Sequence, residues 1–248
     1  MLNHINLSNV CAHFVADEEG NIVPRSPKKN QLHDALENER YEDSSRLIAS
    51  NSEADLAECF ESLKGSFKSC LHIIAGMSNT EQATKLCRQL LERVKNAENR
   101  QCLLDMTTVD EFNMTGWKAR ARVAAVHIAA YNGNSEVVRL LCQEYEIDVN
   151  CTTSEIFQEE TKKVITALEW AARKGHAEVV KVLLDNKADP NVGCSDGAVT
   201  LLYLASGNGH TEIVKLLLDN KADVNVGCSD DGATPLFIAA QEGHTEVA

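Results

Sequence analysis

Histidines, cysteines and one short basic segment are the residues of this 248-residue chain that could carry chemistry. Imidazoles could act as general bases or metal ligands, and thiols as nucleophiles or zinc ligands. The spacing argues against each. There is no Cys-x-x-Cys, and His4, Cys11 and His13 form only a loose cluster, unlike the paired spacing of zinc sites. His-Glu-x-x-His and the phosphate-binding Gly-x-x-x-x-Gly-Lys are absent. Asp189-Pro190-Asn191-Val192-Gly193 begins like a calcium loop but lacks the remaining acidic ligands. Nine cysteines, an odd number without paired spacing, read as thiols in a reducing compartment. In Trp117-Lys118-Ala119-Arg120-Ala121-Arg122, three cations stand beside an indole, as in nucleic-acid contacts. The whole chain nevertheless holds 37 acids against 24 bases, a net charge of −13 that repels phosphate backbones. That segment therefore reads as a solvated loop beside a buried Trp. No apolar run approaches the roughly 18 to 20 residues of a membrane span, and Met1 to Val15 lacks the basic start and apolar block of a secretory signal. The expectation is no catalytic residue, metal, cofactor, small-molecule substrate, nucleic acid or membrane span.

Six of the eight histidines instead fall into a pattern. His33, His72 and His127 each follow an aliphatic residue, while His176, His210 and His244 each follow a glycine. Around them the chain repeats. His176 to Asp196 and His210 to Asp230 agree at 17 of 21 positions at a spacing of 34, which also relates Thr166, Thr200 and Thr234, and Gly175, Gly209 and Gly243. An earlier unit has Ala129-Ala130, Gly133, Glu136-Val137-Val138, Leu140-Leu141 and Asp148-Val149-Asn150.

These repeats need particular elements. From Thr234 to Ala240, the apolar Leu236, Ile238 and Ala239 share one side of a short helix, and Gly243 ends it by supplying a left-handed conformation. Val179, Val180, Val182, Leu183 and Leu184 make a wide apolar face on the next kind of helix, with Lys181 and Asp185 outward. So short a pair cannot bury its own face, so it stacks on its neighbours as a solenoid. Asp189 to Asp196 and Asp223 to Asp231 have the composition of projecting turns.

Thr234-Pro235-Leu236-Phe237-Ile238-Ala239-Ala240-Gln241-Glu242-Gly243-His244-Thr245-Glu246-Val247, with the recurring Ala-Asp-x-Asn ending, resembles the ankyrin repeat. The resemblance covers about 122–248, as units 122–163, 164–197, 198–231 and a partial 232–248. It implies an all-α ankyrin solenoid of stacked helix-turn-helix units with projecting β-turn or hairpin loops. It also implies that the matching histidines tie turns and loops by hydrogen bonds. Leu71-His72-Ile73-Ile74-Ala75 with Glu81 to Val94, and Leu32 to Leu36 with Tyr41 to Ala49, look like divergent repeats within 30–97, after an N-terminal segment at 1–29 that is expected to be partly flexible.

The pattern has three departures. Leu71 and Val126 lie 55 residues apart, so 98–121 is expected to be a long inserted loop. Cys151 to Lys163 is expected to extend as an acidic finger. Ala248 falls inside a second helix, so the last repeat is incomplete, which suggests a fragment whose Leu236, Ile238 and Val247 lack a neighbour.

The slot after Leu236 changes from unit to unit (His127, Glu169, Tyr203, Phe237), as does the pair before each corner glycine. In ankyrin proteins such positions and the loop tips face a concave groove, so the resemblance implies partner-binding by Tyr131, Asn132, Glu169, Arg173, Lys174, Tyr203, Asn208, Phe237, Gln241 and Glu242. Aromatic residues and arginine tend to dominate binding energy. Trp170, aligned with Leu204 and Ile238, reads as core. Val164 to Ala248 holds 12 acids against 6 bases, so the partner is expected to present a basic patch. The expected function is a cytoplasmic, non-enzymatic protein-binding module. The alternative is the targeting arm of a larger enzyme, channel or effector; near-identical tandem units resemble ankyrin proteins of intracellular bacteria, which would place such an effector in a host cytosol.

Overall fold

The computed structural model describes residues 14–16, 22–24, 31–51, 60–63, 66–94, 108–114, 117–145, 147–152, 154–155, 165–192, 199–228 and 232–248. Within them, helices follow one another in pairs: α1 (Gln31–Glu37) with α2 (Tyr41–Ser50), α3 (Cys70–Gly76) with α4 (Thr80–Arg93), and α5 (Ala125–Asn132) with α6 (Ser135–Glu144). Next come α7 (Ala167–Lys174) with α8 (Ala177–Asp185), α9 (Leu201–Gly207) with α10 (Thr211–Asp219), and then α11 (Pro235–Gln241). First helices pack in chain order, α1 on α3 on α5 on α7 on α9 on α11, and second helices do the same from α2 to α10. One apolar core runs through the stack, from Leu32 and Ile48 to Ile213 and Leu217. This is the ankyrin solenoid that the resemblance implies.

Local chemistry fixes each first helix at both ends. The hydroxyl oxygens of Thr166, Thr200 and Thr234 accept the backbone N–H groups of Glu169, Tyr203 and Phe237 at 3.1, 3.1 and 3.3 Å. Pro235 occupies the first turn of α11, where its missing N–H costs nothing. Before α5 the Thr is replaced by Ala124, and His127 takes over. Its Nδ1 accepts the Ala124 N–H at 3.2 Å, which leaves the proton on Nε2 to be donated to the Cys151 carbonyl at 3.0 Å. At the far ends, Gly133, Gly175, Gly209 and Gly243 take φ of 77°, 79°, 69° and 78°.

A second feature explains the glycines. Imidazoles lie against three of them: a Cβ built on Gly133, Gly175 or Gly209 would come within 2.8, 2.9 or 2.6 Å of the ring of His176, His210 or His244. Nε2 of His176 and of His244 donates to the carbonyls of Tyr131 and Gly207 in the preceding unit, both at 3.0 Å, and His210 bonds the equivalent carbonyl of Arg173. In the units that lack the Gly-His corner, other residues make the junction. Asn134, buried, donates to the carbonyls of Ala75 and Met77 at 2.8 and 3.1 Å. Ser78 donates its N–H to the carboxylate of Glu39 at 3.1 Å, and Glu39 itself turns the first corner at φ 51°. These bonds hold the Glu39 carboxyl below its ordinary range.

The turns between units form a ladder. Asn150 accepts the Asp189 N–H at 3.0 Å, the Asp189 carboxylate accepts the Asn191 N–H at 2.9 Å, and Asn191 accepts the Asp223 N–H at 2.9 Å. The Asp-x-Asn ending is thus a chain of side-chain bonds that crosses from unit to unit, next to Lys187 and Lys221 in left-handed backbone at φ 69° and 67°.

Among the described residues, strands lie ahead of α1 and in the connections between helix pairs. β1 (Phe14–Ala16) pairs antiparallel with β2 (Ile22–Pro24), inside the segment expected to be partly flexible, and β3 (Phe60–Leu63) pairs with β4 (Ser66–Ser69). The expected loop at 98–121 contains most of an antiparallel hairpin, β5 (Thr108–Met114) with β6 (Trp117–Val123). A two-residue strand from the expected finger, β7 (Ser154–Glu155), adds to β6, so the two long connections meet in one sheet. The physical reason is period two: in β6, Trp, Ala, Ala and Val alternate with Lys, Arg and Arg, which a strand accommodates and an irregular loop has no need of.

Two outcomes follow from the corners and caps. Gly175→Ala should lower stability by about 2 kcal/mol in urea unfolding, since it combines a left-handed backbone penalty with a clash against His210. Gly243→Ala, with nothing within 4 Å, should lose only the backbone part, about 1 kcal/mol. Burial depresses the His127 pKa to about 4 against the smaller opposing effect of the Cys151 carbonyl, so the native ring stays neutral while the unfolded one takes a proton below about 6.5. Stability conferred by His127 is therefore full above pH 6.5 and falls as the pH drops towards 4. The stability advantage of the native chain over His127→Gln should shrink by about 3 kcal/mol across that window. A pH-independent difference would show that the ring is not held neutral.

Candidate partner-binding face

The first helices of successive units present their last turns side by side, and a groove of about 440 Å³ opens between α7, α9 and α11. Its lining includes Trp170, Arg173, Lys174, Tyr203, Asn208 and Glu242. Five of the ten residues expected to bind a partner are thus brought together. Tyr131 joins them from α5: its ring meets Trp170 edge-on at 5.2 Å and 76°, and the Lys174 ammonium sits 4.3 Å from its centroid. Trp170 is fully buried, as its alignment with Leu204 and Ile238 suggests, so it supports the floor of the groove and offers little surface.

Glu169 is placed differently from the expectation. It is 1% exposed, and its Oε1 accepts from Nε and Nη2 of Arg173 at 2.9 and 2.7 Å. The slot it shares with His127 lies in the first turn of its helix, while Arg173 and Lys174, four and five residues further on, line the groove. Glu169 therefore holds Arg173 in place from a buried position. Tyr203, in the same slot, is half-buried and reaches the groove. Phe237 and Gln241 remain outside it; Phe237 is 56% exposed beside Leu236 at 58%, and Ile238 and Val247 are half-buried.

Asn132 contributes to a second hollow of about 560 Å³ on the same side of the stack, between α1, α3 and α5, with His72, Ile73 and Ile128. The sequence reading passed over His72 and Ile73 as binding residues. Leu71-His72-Ile73-Ile74-Ala75, in register with 126–130, was the signal that could have placed them.

Three buried titratable groups, His127, Cys87 and Cys142, belong to the scaffold. Both His127 nitrogens are engaged, and burial pushes the thiols of Cys87 and Cys142 up to about 12, which keeps them protonated and inert. Among the described residues, no three His, Cys, Asp or Glu gather where they could hold a metal ion, and no helix is long and apolar enough to cross a membrane. His4, Cys11 and His13 lie outside the described residues, as does the His33 side chain.

Removing Arg173 leaves a buried carboxylate without its ion pair. Arg173→Ala should destabilise the chain by about 3 kcal/mol in chemical unfolding, and the double variant Glu169→Gln, Arg173→Met should recover most of that loss. Lys174→Ala, whose exposed ammonium rests on a ring, should cost no more than about 1 kcal/mol.

Comparison with known proteins agrees with this geometry. Over 76 residues, 31% of this chain, the sequence is 37% identical to the palmitoyltransferase AKR1 of Lachancea kluyveri, and the chain covers 9% of that protein's length. The family model for ankyrin repeats (three copies) matches residues 112–194 and, overlapping these, 168–248. With that match extending over more than half of its length, on helices stacked by the Gly-His corners described above, the chain belongs to the ankyrin repeat family.

Proposed function

We propose that this protein is a non-enzymatic interaction module that binds another protein across the groove between α7, α9 and α11 and along the adjoining hollow at Asn132. The observation that carries this reading is the groove itself, in which Tyr203, Asn208 and Lys174 meet over a floor fixed by Trp170. Aromatic and cationic groups on a rigid, well-packed base are what interface energy concentrates on. The histidines support the non-enzymatic part, since the hydrogen bonds of His127, His176, His210 and His244 are already committed to the scaffold.

The partner presents a basic patch beside the segment that enters the groove. Exposed Asp148, Asp189 and Asp223 recur on successive turns, and each further copy of the unit adds to that rim. Such a module works in the cytoplasm, where its thiols stay reduced. A second reading makes the array the targeting arm of a larger multidomain protein. The palmitoyltransferase supports it, because there the matching stretch belongs to a far longer chain.

Affinity capture on the immobilised full chain, read by mass spectrometry, tests the first reading. A partner retained by the wild type should be lost, by roughly tenfold or more, on the variant Lys174→Ala, Tyr203→Ala. Its retention should also weaken as ionic strength rises. Arg173 is left intact because its loss acts through folding. Equal retention by the variant would remove the groove from the interface, and retention indifferent to salt would remove the basic patch.

A further inference from the structure

Just before the corner glycines of three successive units stand Lys174, Asn208 and Glu242, a cation, an amide and a carboxylate in one slot. All three are exposed and line the groove between α7, α9 and α11. Because α7, α9 and α11 stack in that order, charge runs from positive to negative along the groove. Neighbouring groups sharpen its two ends. Buried Glu169 takes up the Arg173 guanidinium, so the cation presented at the α7 end is Lys174, whose ammonium rests on the Tyr131 ring. At the α11 end, the Glu242 carboxylate accepts from the Gln241 amide at 3.4 Å, a neutral group that does not offset its charge. Between the ends the groove deepens. Gly207 stands where the flanking units have Arg173 and Gln241, and a Cβ on it would come 3.1 Å from Cγ1 of Ile238. Half-buried Tyr203, Leu204 and Ile238 make this middle apolar.

We propose, on the footing that this groove is the protein-binding face, that it takes an extended partner segment with an acidic residue at one end, apolar residues in the middle and a basic residue at the other. The acid meets Lys174 and the base meets Glu242. Packed helices lie about 8 to 10 Å apart, so two such steps separate the charges by about 16 to 20 Å. An extended chain covers that distance in about six residues at about 3.3 Å each, and an even number sets the first and last side chains on one face. Alternate residues between them turn the same way and fill the apolar middle above Gly207. Asn208, at the midpoint, carries an amide that both donates and accepts, matching the N–H and C=O groups of an extended backbone. Opposite charges at the two ends also reject the alternatives. A wholly acidic segment meets Glu242, and a wholly basic one meets Lys174.

The test uses the full chain and three fluorescein-labelled peptides, Gly-Glu-Thr-Leu-Thr-Leu-Thr-Lys-Gly and its counterparts with two glutamates or two lysines at the charged positions, followed by fluorescence anisotropy. The wild type should bind the mixed peptide about fivefold more tightly than either like-charged one. Lys174→Glu should shift the preference to the two-lysine peptide and Glu242→Lys to the two-glutamate peptide. The double exchange Lys174→Glu, Glu242→Lys should restore the mixed one, since an extended segment can enter in either direction. Thermal melting checks each fold, and where an exchange melts lower, Lys174→Gln and Glu242→Gln decide, each expected to remove the preference at its own end. If Tyr203→Ala weakens all three peptides while the charge exchanges leave the preference unchanged, the charge pairing is overturned and the groove stands as the binding face. The proposal is also overturned if the wild type binds none of the peptides, or if it prefers the two-lysine peptide as its net charge of −13 alone would dictate. In those two cases the groove itself is judged separately, by whether Lys174→Ala, Tyr203→Ala loses the captured partner.

Discussion

At every junction of this stack, the residue just past a helix corner reaches back to the corner of the unit before it. His176 and His244 do so through imidazole Nε2 to a carbonyl, His210 through its ring to the Arg173 backbone, Asn134 through its amide to two carbonyls, and Ser78 through its N–H and hydroxyl to the Glu39 carboxylate. Helices of seven to fourteen residues do not stand alone in water, and their stability comes from apolar faces closed against neighbours. Apolar attraction alone is indifferent to register. The polar tie supplies what it lacks, a fixed offset between one unit and the next. It also accounts for the glycine, since three of these imidazoles occupy the space where a Cβ would stand.

That fixed offset is what turns separate side chains into a surface. Arg173 and Tyr203 come from α7 and α9 and Glu242 from the end of α11, and none of them stands out in its own unit. Stacked at constant offset, they line one groove. The carbonyl of Arg173 accepts the His210 tie while its side chain holds buried Glu169, so one residue serves the junction, the helix and the groove at once. A residue so engaged is a poor choice for probing binding alone.

Much of this was legible in the sequence because the repeat prints each device several times. Gly-His corners, Thr caps and Asp-x-Asn endings recur at a spacing of 34, and their shared geometry follows from that recurrence. What occurs once was harder to read. Asn134 follows its corner glycine as the histidines follow theirs, whereas Ser78 follows Met77 and has no such mark; in both cases only the stack reveals the carbonyls or carboxylate within reach. The slot of Glu169 varies between units, and the variation mixes two kinds of position: His127 and Glu169 are buried there, Tyr203 is half-buried and Phe237 is exposed. In the insert, residues 117–123 carry a period of two, but a lone hairpin has no second copy in the chain to set beside it.

Net charge shows the same limit of averages. The value of −13 argues soundly against a polyanion spread across the whole molecule, because every exposed acid then contributes to the repulsion. It says little about a contact smaller than the screening distance, where the local arrangement decides. Acid here is set on the turns, at Asp148, Asp189 and Asp223, and on the outer helices, where Glu144 and Glu178 pair with Arg88 and Arg139 of the preceding unit at 3.0 and 2.9 Å. Those exposed pairs add little stability, but they neutralise one another and leave the turns as the unbalanced rim. A solenoid with identical units can vary its surface only through slots that the stack does not need and through connections inserted between units.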